Sequence, residues 1–147
     1  MRAMGLKTIL LAAILVTGLF SLAQAGSGRD VVAMTNTFRA SNNLPALTPS
    51  PLLEAIAAAH GSDMRRNGFF SHQGSDGSTI GDRALRNGYN YCLIAENIAV
   101  GQRTAKRVTQ AWIKSRGHRR NMLNSDVTEI GVIQAGKYWV MVLGRRC

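Results

Sequence analysis

The spacing of apolar residues predicts two helices in the first half of the chain. In the segment GRDVVAMTNTFRASNN, residues 28–43, apolar side chains recur every three or four positions and share one helical face. Residues 50–68 have the same period, with Ser50 as a capping residue, Pro51 at the first helical position and Gly68 at the end. The predicted inner face of this second helix carries Leu53, Ile56, His60 and Met64.

Two further segments have a helical period, and the end of the chain alternates instead. Residues 78–88 form a short helical pattern that stops at Gly88, and residues 104–115 form a longer amphipathic one. The period then changes to two in EIGVIQ and KYWVMVLG, which predict a β-hairpin. The apolar run YCLIAENIAV, residues 91–100, is a candidate strand or sheet edge. Four helices with a terminal hairpin predict an α+β fold with an antiparallel sheet.

The first 25 residues have the pattern of a secretory signal peptide. Arg2 and Lys7 supply a positive start, an apolar stretch follows, and Ala23 and Ala25 give the small-residue pattern of a cleavage site after Ala25. An uncleaved membrane anchor is the alternative, but the apolar stretch is short for a span. We therefore expect a signal peptide over residues 1–25, one domain over residues 26–147, and a secreted or periplasmic protein with no membrane span after cleavage.

The net charge narrows the choice of partners. Losing Arg2 and Lys7 with the signal peptide lowers the formal net charge from +10 to +8. A basic exported protein tends to bind anionic envelope polymers or lipid head groups, although a solvated basic surface explains the charge equally well. Export makes nucleic acid an unlikely class of partner, and we expect a monomer.

The two cysteines, Cys92 and Cys147, are predicted to form one disulfide. An even count in an oxidising compartment favours a disulfide, and two cysteines allow a single pairing. Two buried thiols are the alternative. No Cys-x-x-Cys or Cys/His spacing typical of a zinc site is present, so a cysteine-based metal site is not expected.

Familiar catalytic motifs are missing, which leaves histidines and acids as the candidates. The sequence has no HExxH, GxSxG, phosphate-loop or dinucleotide-binding pattern. His60 lies on an inner helical face and is expected to pack there and bond to the backbone. His72 lies beside a flexible loop, His118 follows the fourth helix, and Glu129 opens the hairpin, positions that often present working groups. Glu96 interrupts an apolar run and should have a partner, because an unpaired buried carboxylate is costly.

Four segments carry a specific combination of these residues: GFFSHQGSDGS, RALRNGYNYCLIAENIAVG, AWIKSRGHRRNMLN, and TEIGVI followed by KYWVMVLG. In this order and approximate spacing they resemble the bacterial branch of the CAP superfamily, also called SCP domains. The resemblance covers nearly all of residues 26–147. It implies an α-β-α sandwich, in which helices cover both faces of a central antiparallel sheet.

The resemblance also implies a cleft lined by two histidines and two acids. His72 corresponds to the histidine of the family's FSH motif and Glu96 to the glutamate of its GEN motif. His118 corresponds to the histidine of GHR, and Glu129 to the acid of TEIG. On this basis Glu96 faces imidazoles or a metal, and the competing interpretation is a structural carboxylate that accepts backbone N–H groups.

Two positions near the implied cleft depart from the family pattern. Ala95 stands where the family usually has Gly, and Arg116 stands where bacterial members usually have Pro. An added Cβ at residue 95 would rearrange the backbone beside Glu96 if the usual Gly has a positive φ.

The implied set of side chains suits more than one chemistry. Two imidazoles and two carboxylates can bind a divalent metal such as zinc, with His72 and His118 as ligands, or can orient a water for general base catalysis. The same cluster can also simply tie the sheet to its loops. We therefore expect an extracytoplasmic binding module with a metal-capable cleft, or alternatively a hydrolase acting on envelope or extracellular material.

Overall fold

A computed structural model of the chain describes residues 26–147, and the predicted signal peptide lies outside the described residues. Within the described part, no helix is both long enough and apolar enough to cross a bilayer. The elements in chain order are α1 (residues 26–40), β1 (Thr48–Pro49), α2 (Pro51–Asn67), α3 (Ile80–Arg86), β2 (Tyr91–Val100), α4 (Ala105–Lys114), α5 (Arg116–Met122), β3 (Glu129–Ala135) and β4 (Tyr138–Arg146).

The strands form one sheet in the order β1-β3-β4-β2. The predicted hairpin pairs β3 with β4, and the candidate strand β2 pairs antiparallel with β4 on the other side. The strand β1, which the sequence pattern did not predict, adds two residues parallel to β3. The sheet is therefore antiparallel except at β1, and β2 forms its other edge.

Helices cover both faces of the sheet. Successive strand residues point to opposite faces, so β4 contributes Val140 and Val142 to one core and Trp139 and Met141 to the other. The first core packs against α2 and α3, and the second packs against α1, α4 and α5. The predicted α-β-α sandwich is therefore confirmed.

The ends of α2 follow the predicted signals. The Ser50 hydroxyl accepts a hydrogen bond from the Leu53 N–H, and Gly68 ends the helix in the left-handed region at a φ of 67°. The first turn of α2 approaches β3 so closely that a Cβ at Gly131 would overlap the backbone of Leu53 and Glu54. The Gly of the TEIG segment is therefore required by helix–sheet packing.

The helix α5 differs from the prediction, because His118 was expected to follow the last helix. Ser115 ends α4 in an extended conformation and also precedes the first residue of α5, Arg116. Arg116 therefore occupies the first helical position, where Pro is favoured but not needed. Because residues 116–122 contain little apolar periodicity, the sequence pattern did not reveal this short helix.

Candidate functional site

Glu96 lies on the edge strand β2 and is 6% exposed. Its Oε2 receives a hydrogen bond from the Arg83 guanidinium at 2.8 Å, and its Oε1 lies 2.8 Å from Nδ1 of His72. The cost of burying this carboxylate is therefore offset by an ion pair and a second charge-assisted hydrogen bond. An imidazole partner was predicted for Glu96, but Arg83 was not.

Arg83 is the residue that connects the loop before α3 to the sheet. It is only 8% exposed, and besides Glu96 it donates to the carbonyl oxygens of Ser78 at 2.9 Å and His72 at 3.1 Å. The start of α3 is fixed by a capping box between Thr79 and Asp82, which places Arg83 one turn into the helix. A buried arginine in a short helix looks like an ordinary solvated residue in a sequence, which explains why it was missed.

His72 presents one ring nitrogen to the outside. A carboxylate only accepts hydrogen bonds, so Nδ1 of His72 carries the proton that is donated to Glu96. In the neutral ring Nε2 is then the nitrogen with a free lone pair, and it makes no hydrogen bond to any residue in the described part. The side chain is 57% exposed. Glu96 therefore orients an accessible imidazole.

His60 is a packed histidine, as predicted. It is 1% exposed, and its Nε2 donates to the carbonyl oxygen of Ser71 at 2.8 Å. The same nitrogen is 3.9 Å from Glu96 Oε1. Burial lowers the pKa of His60, with the positive charge of Arg83 acting in the same direction and the negative charge of Glu96 opposing it. His60 thus supports the loop that carries His72 instead of facing solvent.

His118 approaches the same edge of the sheet from the opposite helical layer. The half-buried ring lies 6.5 Å from the ring of Trp112. Burial lowers the pKa of His118, and the charge of His72 acts in the same direction. His118 lines the same pocket as Phe70, which precedes His72 by two residues. We call His72, Arg83, Glu96 and His118 the histidine cleft.

Asn97 holds the His118 side of this cleft in place. It is fully buried next to Glu96 and points to the opposite face of the sheet. Its Nδ2 donates to the carbonyl oxygen of His118 at 3.1 Å, and its Oδ1 accepts from Asn121 at 2.9 Å. Successive residues of β2 therefore fix the two walls of the histidine cleft. The adjacent Asn of the AEN segment was a signal for this role that sequence reasoning did not use.

Glu129 is not joined to the other three predicted residues by any contact within residues 26–147. Its Oε2 accepts a hydrogen bond from the Tyr89 hydroxyl at 2.5 Å and lies 3.4 Å from Nε of Arg146. Strand β4 separates it from β2 and Glu96. Burial raises the pKa of Tyr89, and the hydrogen bond to Glu129 raises it further. The predicted group of four therefore divides into the histidine cleft and a separate Tyr89–Glu129–Arg146 cluster.

The departure at Ala95 leaves the backbone of the strand unchanged. Ala95 does not have a positive φ, and the pairing of β2 with β4 continues through Ala95 and Glu96. The register shift in β2 lies further back, between Tyr91 and Leu93. The added Cβ therefore does not rearrange the strand beside Glu96.

The disulfide between Cys92 and Cys147 is present in the structure and joins the start of β2 to the end of the chain. It lies beside the pairing of Tyr91 with Arg146, at the same end of the sheet as the Tyr89–Glu129–Arg146 cluster. The bridge therefore secures that cluster more directly than the histidine cleft.

The histidine cleft has few free ligands for a metal ion. Within residues 26–147, no group of three or more His, Cys, Asp or Glu side chains is arranged to hold an ion. Both oxygens of Glu96 are already engaged, which leaves His72 and His118 as ligands. A catalytic zinc site normally has three protein ligands, so these residues do not fit a tightly held resident metal. Two imidazoles suit only a labile ion whose other ligands are water.

Comparisons with known proteins agree with this architecture. The chain is 36% identical over 113 residues to the uncharacterized protein YkwD of Bacillus subtilis, and 30% identical over 116 residues to the uncharacterized membrane protein YlbC of the same organism. These matches cover 76% and 79% of this chain but only 44% and 34% of the relatives. The chain thus spans less than half the length of either relative.

Solved structures give the same result. An extracellular protein containing a SCP domain from Bacillus anthracis has a TM-score of 0.81 and 32% identity, covering 84% of this chain and 41% of that one. An outer surface protein from Borrelia burgdorferi has a TM-score of 0.73 and 24% identity, covering 79% and 90%, and shows the fold alone. The model of the family described as "CAP: Cysteine-rich secretory protein family" matches residues 32–140. Since this match spans most of the chain, the protein belongs to the CAP family.

Proposed function

We propose that this CAP protein acts outside the cytoplasm as a ligand-binding module and binds through the histidine cleft. Three observations support the location. The sequence begins with a signal-peptide pattern, Cys92 and Cys147 form a disulfide of the kind that persists in oxidising compartments, and a relative at 32% identity is described as extracellular.

The observation that carries the binding role is the orientation of His72. Its Nδ1 is tied to a buried carboxylate, and that carboxylate is itself held by Arg83. The exposed Nε2 is therefore presented in a fixed direction, and a ligand would not have to pay for ordering the ring. A residue that served only the fold would gain nothing from leaving this nitrogen free.

A labile divalent cation is the ligand that the two imidazoles suit. Zinc should bind the purified protein, and His72→Ala or His118→Ala should each weaken binding by at least about tenfold, because losing a ligand should cost no less than losing one of its supporting groups. Isothermal titration calorimetry measures this directly. Glu129→Gln is the matched control, because it alters the Tyr89–Glu129–Arg146 cluster and leaves the histidine cleft intact. An equal loss of zinc affinity in the control, or no loss in either histidine variant, would contradict the cation proposal.

Hydrolysis is a second candidate function, favoured by the pairing of His72 with Glu96. A carboxylate bonded to one ring nitrogen leaves the other able to take a proton from water, as in general base catalysis. Dye release from labelled cell-wall sacculi tests this. A hydrolase should lose release in His72→Ala and keep it in Glu129→Gln. Zinc binding with no release from wild-type protein would favour the binding module.

A further inference from the structure

The segment from residue 98 to residue 125 contains lysines and arginines but no aspartate or glutamate. All of its cationic side chains are exposed. We call these seven residues the basic surface: Arg103, Lys106, Arg107, Lys114, Arg116, Arg119 and Arg120. In the sequence they form small scattered groups, and whether they share one surface depends on the fold.

The fold places six of these seven residues on α4 and α5, and Arg103 lies two residues before α4. The two helices follow one another at Ser115 and pack against each other. Arg107 and Lys114 are seven positions apart on α4 and so share a face, while Arg116 and Arg120 are four apart on α5 and share another. The inner sides of the two helices bury Trp112 and Met122 instead. The cations therefore occupy the outer side of this helix pair.

The stability of the fold explains only part of the basic surface: the Arg119 guanidinium lies over the Phe38 ring, 5.6 Å from its centre. None of its members forms an ion pair with any residue in the described part of the chain. Lys106 and Arg107 lie in the first turn of α4, and Arg116 is the first residue of α5. A cation at a helix N-terminus opposes the helix dipole, so these three positions are unfavourable for the helices themselves. Lys114, Arg119 and Arg120 lie in last turns, where the dipole favours a cation. Positive charge in the first helical turns therefore indicates an anionic partner outside the chain.

We propose that the basic surface docks a soluble, phosphate-bearing anionic polymer. Five of the seven cations are arginine, whose guanidinium fork binds phosphate oxygens in pairs. The ten residues of α4 alone extend over about 15 Å, enough for several charges of a polymer. This docking does not depend on what the histidine cleft binds. It would, however, bring the polymer beside His118, which lies on α5 between Arg116 and Arg119.

A membrane surface fits the basic surface less well than a polymer does. Helices that lie on a bilayer combine basic residues with exposed apolar side chains that enter the lipid. Within residues 26–147, the large hydrophobic side chains that are exposed are Phe70 and Leu85, and neither lies on α4 or α5. The apolar groove beside Lys106 is lined by Phe38 and Ile113, which are both partly buried, so it offers no fully exposed large side chain to a bilayer.

The test compares two triple variants of equal charge. Arg107→Gln, Lys114→Gln and Arg120→Gln remove three of the seven charges of the basic surface. Arg65→Gln, Arg66→Gln and Arg145→Gln remove three exposed charges elsewhere. Binding of labelled inorganic polyphosphate is followed by fluorescence anisotropy at several salt concentrations, using protein made from the full chain. The basic-surface variant should bind at least about tenfold more weakly, with a salt slope shallower by about 0.7–0.9 for each lost phosphate contact. The control variant should stay within about twofold of wild type.

Three results would overturn the proposal. Equal weakening in both triple variants would mean that net charge alone drives binding. Failure of wild-type protein to bind polyphosphate would rule out a phosphate-bearing polymer as the ligand of the basic surface. Tighter binding to phosphatidylglycerol–phosphatidylcholine vesicles than to polyphosphate at equal phosphate concentration would identify a membrane instead. His72→Ala should leave polyphosphate binding unchanged, so the outcome is separate from that of the cleft.

Discussion

Glu96 and Glu129 point to the same face of one sheet yet have opposite surroundings. Glu96 pairs across β4 with Val142 and Glu129 with Gly144, two positions apart, so both side chains leave the sheet on the same side. Glu96 is held by a buried guanidinium and supports an exposed imidazole. Glu129, with its side chain 22% exposed, binds the hydroxyl of a fully buried tyrosine and a half-exposed arginine.

The two carboxylates differ in whether their hydrogen-bond partners, His72 and Tyr89, have a second polar group that solvent can reach. His72 uses one ring nitrogen on Glu96 and turns the other to solvent. Tyr89 uses its hydroxyl on Glu129, and its ring is buried in space that a Cβ at Gly144 would occupy. Glu96 therefore contributes to a binding site, because its partner His72 has a second nitrogen that a ligand can reach. Glu129 contributes to the fold, because its partner Tyr89 is buried.

The largest expected contrast comes from removing each carboxylate's arginine. Arg83→Met leaves Glu96 buried without its ion-pair partner and should lower the free energy of unfolding by about 3–5 kcal/mol. Arg146→Met removes a partner whose side chain is 50% exposed, so its loss should cost less than about 1 kcal/mol. Urea unfolding followed by circular dichroism measures both. Similar losses in the two variants would show that the two carboxylates are not held differently.

The disulfide should stabilise the Glu129 side without affecting the cleft. Replacing Cys92 and Cys147 with Ser removes a cross-link between positions 55 residues apart. The free energy of unfolding should fall by about 2–4 kcal/mol, mainly because the unfolded chain gains conformational freedom. Zinc affinity should remain at the wild-type value if the double variant stays folded at the working temperature. A selective loss of zinc binding in folded protein would indicate that the bridge also positions the histidine cleft.

Tyr89→Phe should produce a smaller loss that is confined to the Glu129 cluster. It removes one hydrogen bond to a charged group, which is worth about 1.5–3 kcal/mol. Cleft binding should not change, because no hydrogen bond or ion pair joins the Tyr89 side chain to the cleft among the residues that the structure describes. The variant is measured by unfolding and by zinc titration side by side, and weakened zinc binding at unchanged stability would be the contrary result.

Acidification should destabilise the protein through the buried His60 and the half-buried His118. Burial lowers the pKa of His60 and of His118, so the folded protein keeps both neutral at a pH where the unfolded chain takes up protons. The free energy of unfolding should therefore fall as the pH drops below about 6.5, by at most about 1.4 kcal/mol per pH unit for each histidine. Unfolding curves across this range provide the measurement. His60→Gln should weaken the pH dependence of the free energy of unfolding. A free energy of unfolding that rises on acidification would contradict the lowered pKa values of the two histidines.

The sequence predicts the main elements because their signals are local. The caps of α2 and the alternation of the hairpin are written in adjacent residues, and the structure confirms them. The two-residue strand β1 and the short helix α5 have too few positions to show a period.

The grouping of the site residues is a property of strand order, which local patterns do not encode. Glu96 and Glu129 belong to the same predicted group of four, but β4 lies between their strands. Arg83 is missing from the predicted site for a related reason, since its burial becomes visible only when α3 is placed against β2. Glu96 has the imidazole partner that one of the two interpretations expected, and it also closes a buried ion pair with Arg83 that neither expected.

The tautomer of His72 is the most direct test of the claim that Glu96 positions this residue. Long-range ¹H–¹⁵N spectra of the imidazole, recorded at a pH where the ring is neutral, distinguish a protonated Nδ1 from a protonated Nε2. Wild-type protein and Glu129→Gln should both show His72 with the proton on Nδ1, and Glu96→Gln should lose this preference. A proton on Nε2 in wild-type protein, or the same spectrum in Glu96→Gln, would contradict the role assigned to Glu96.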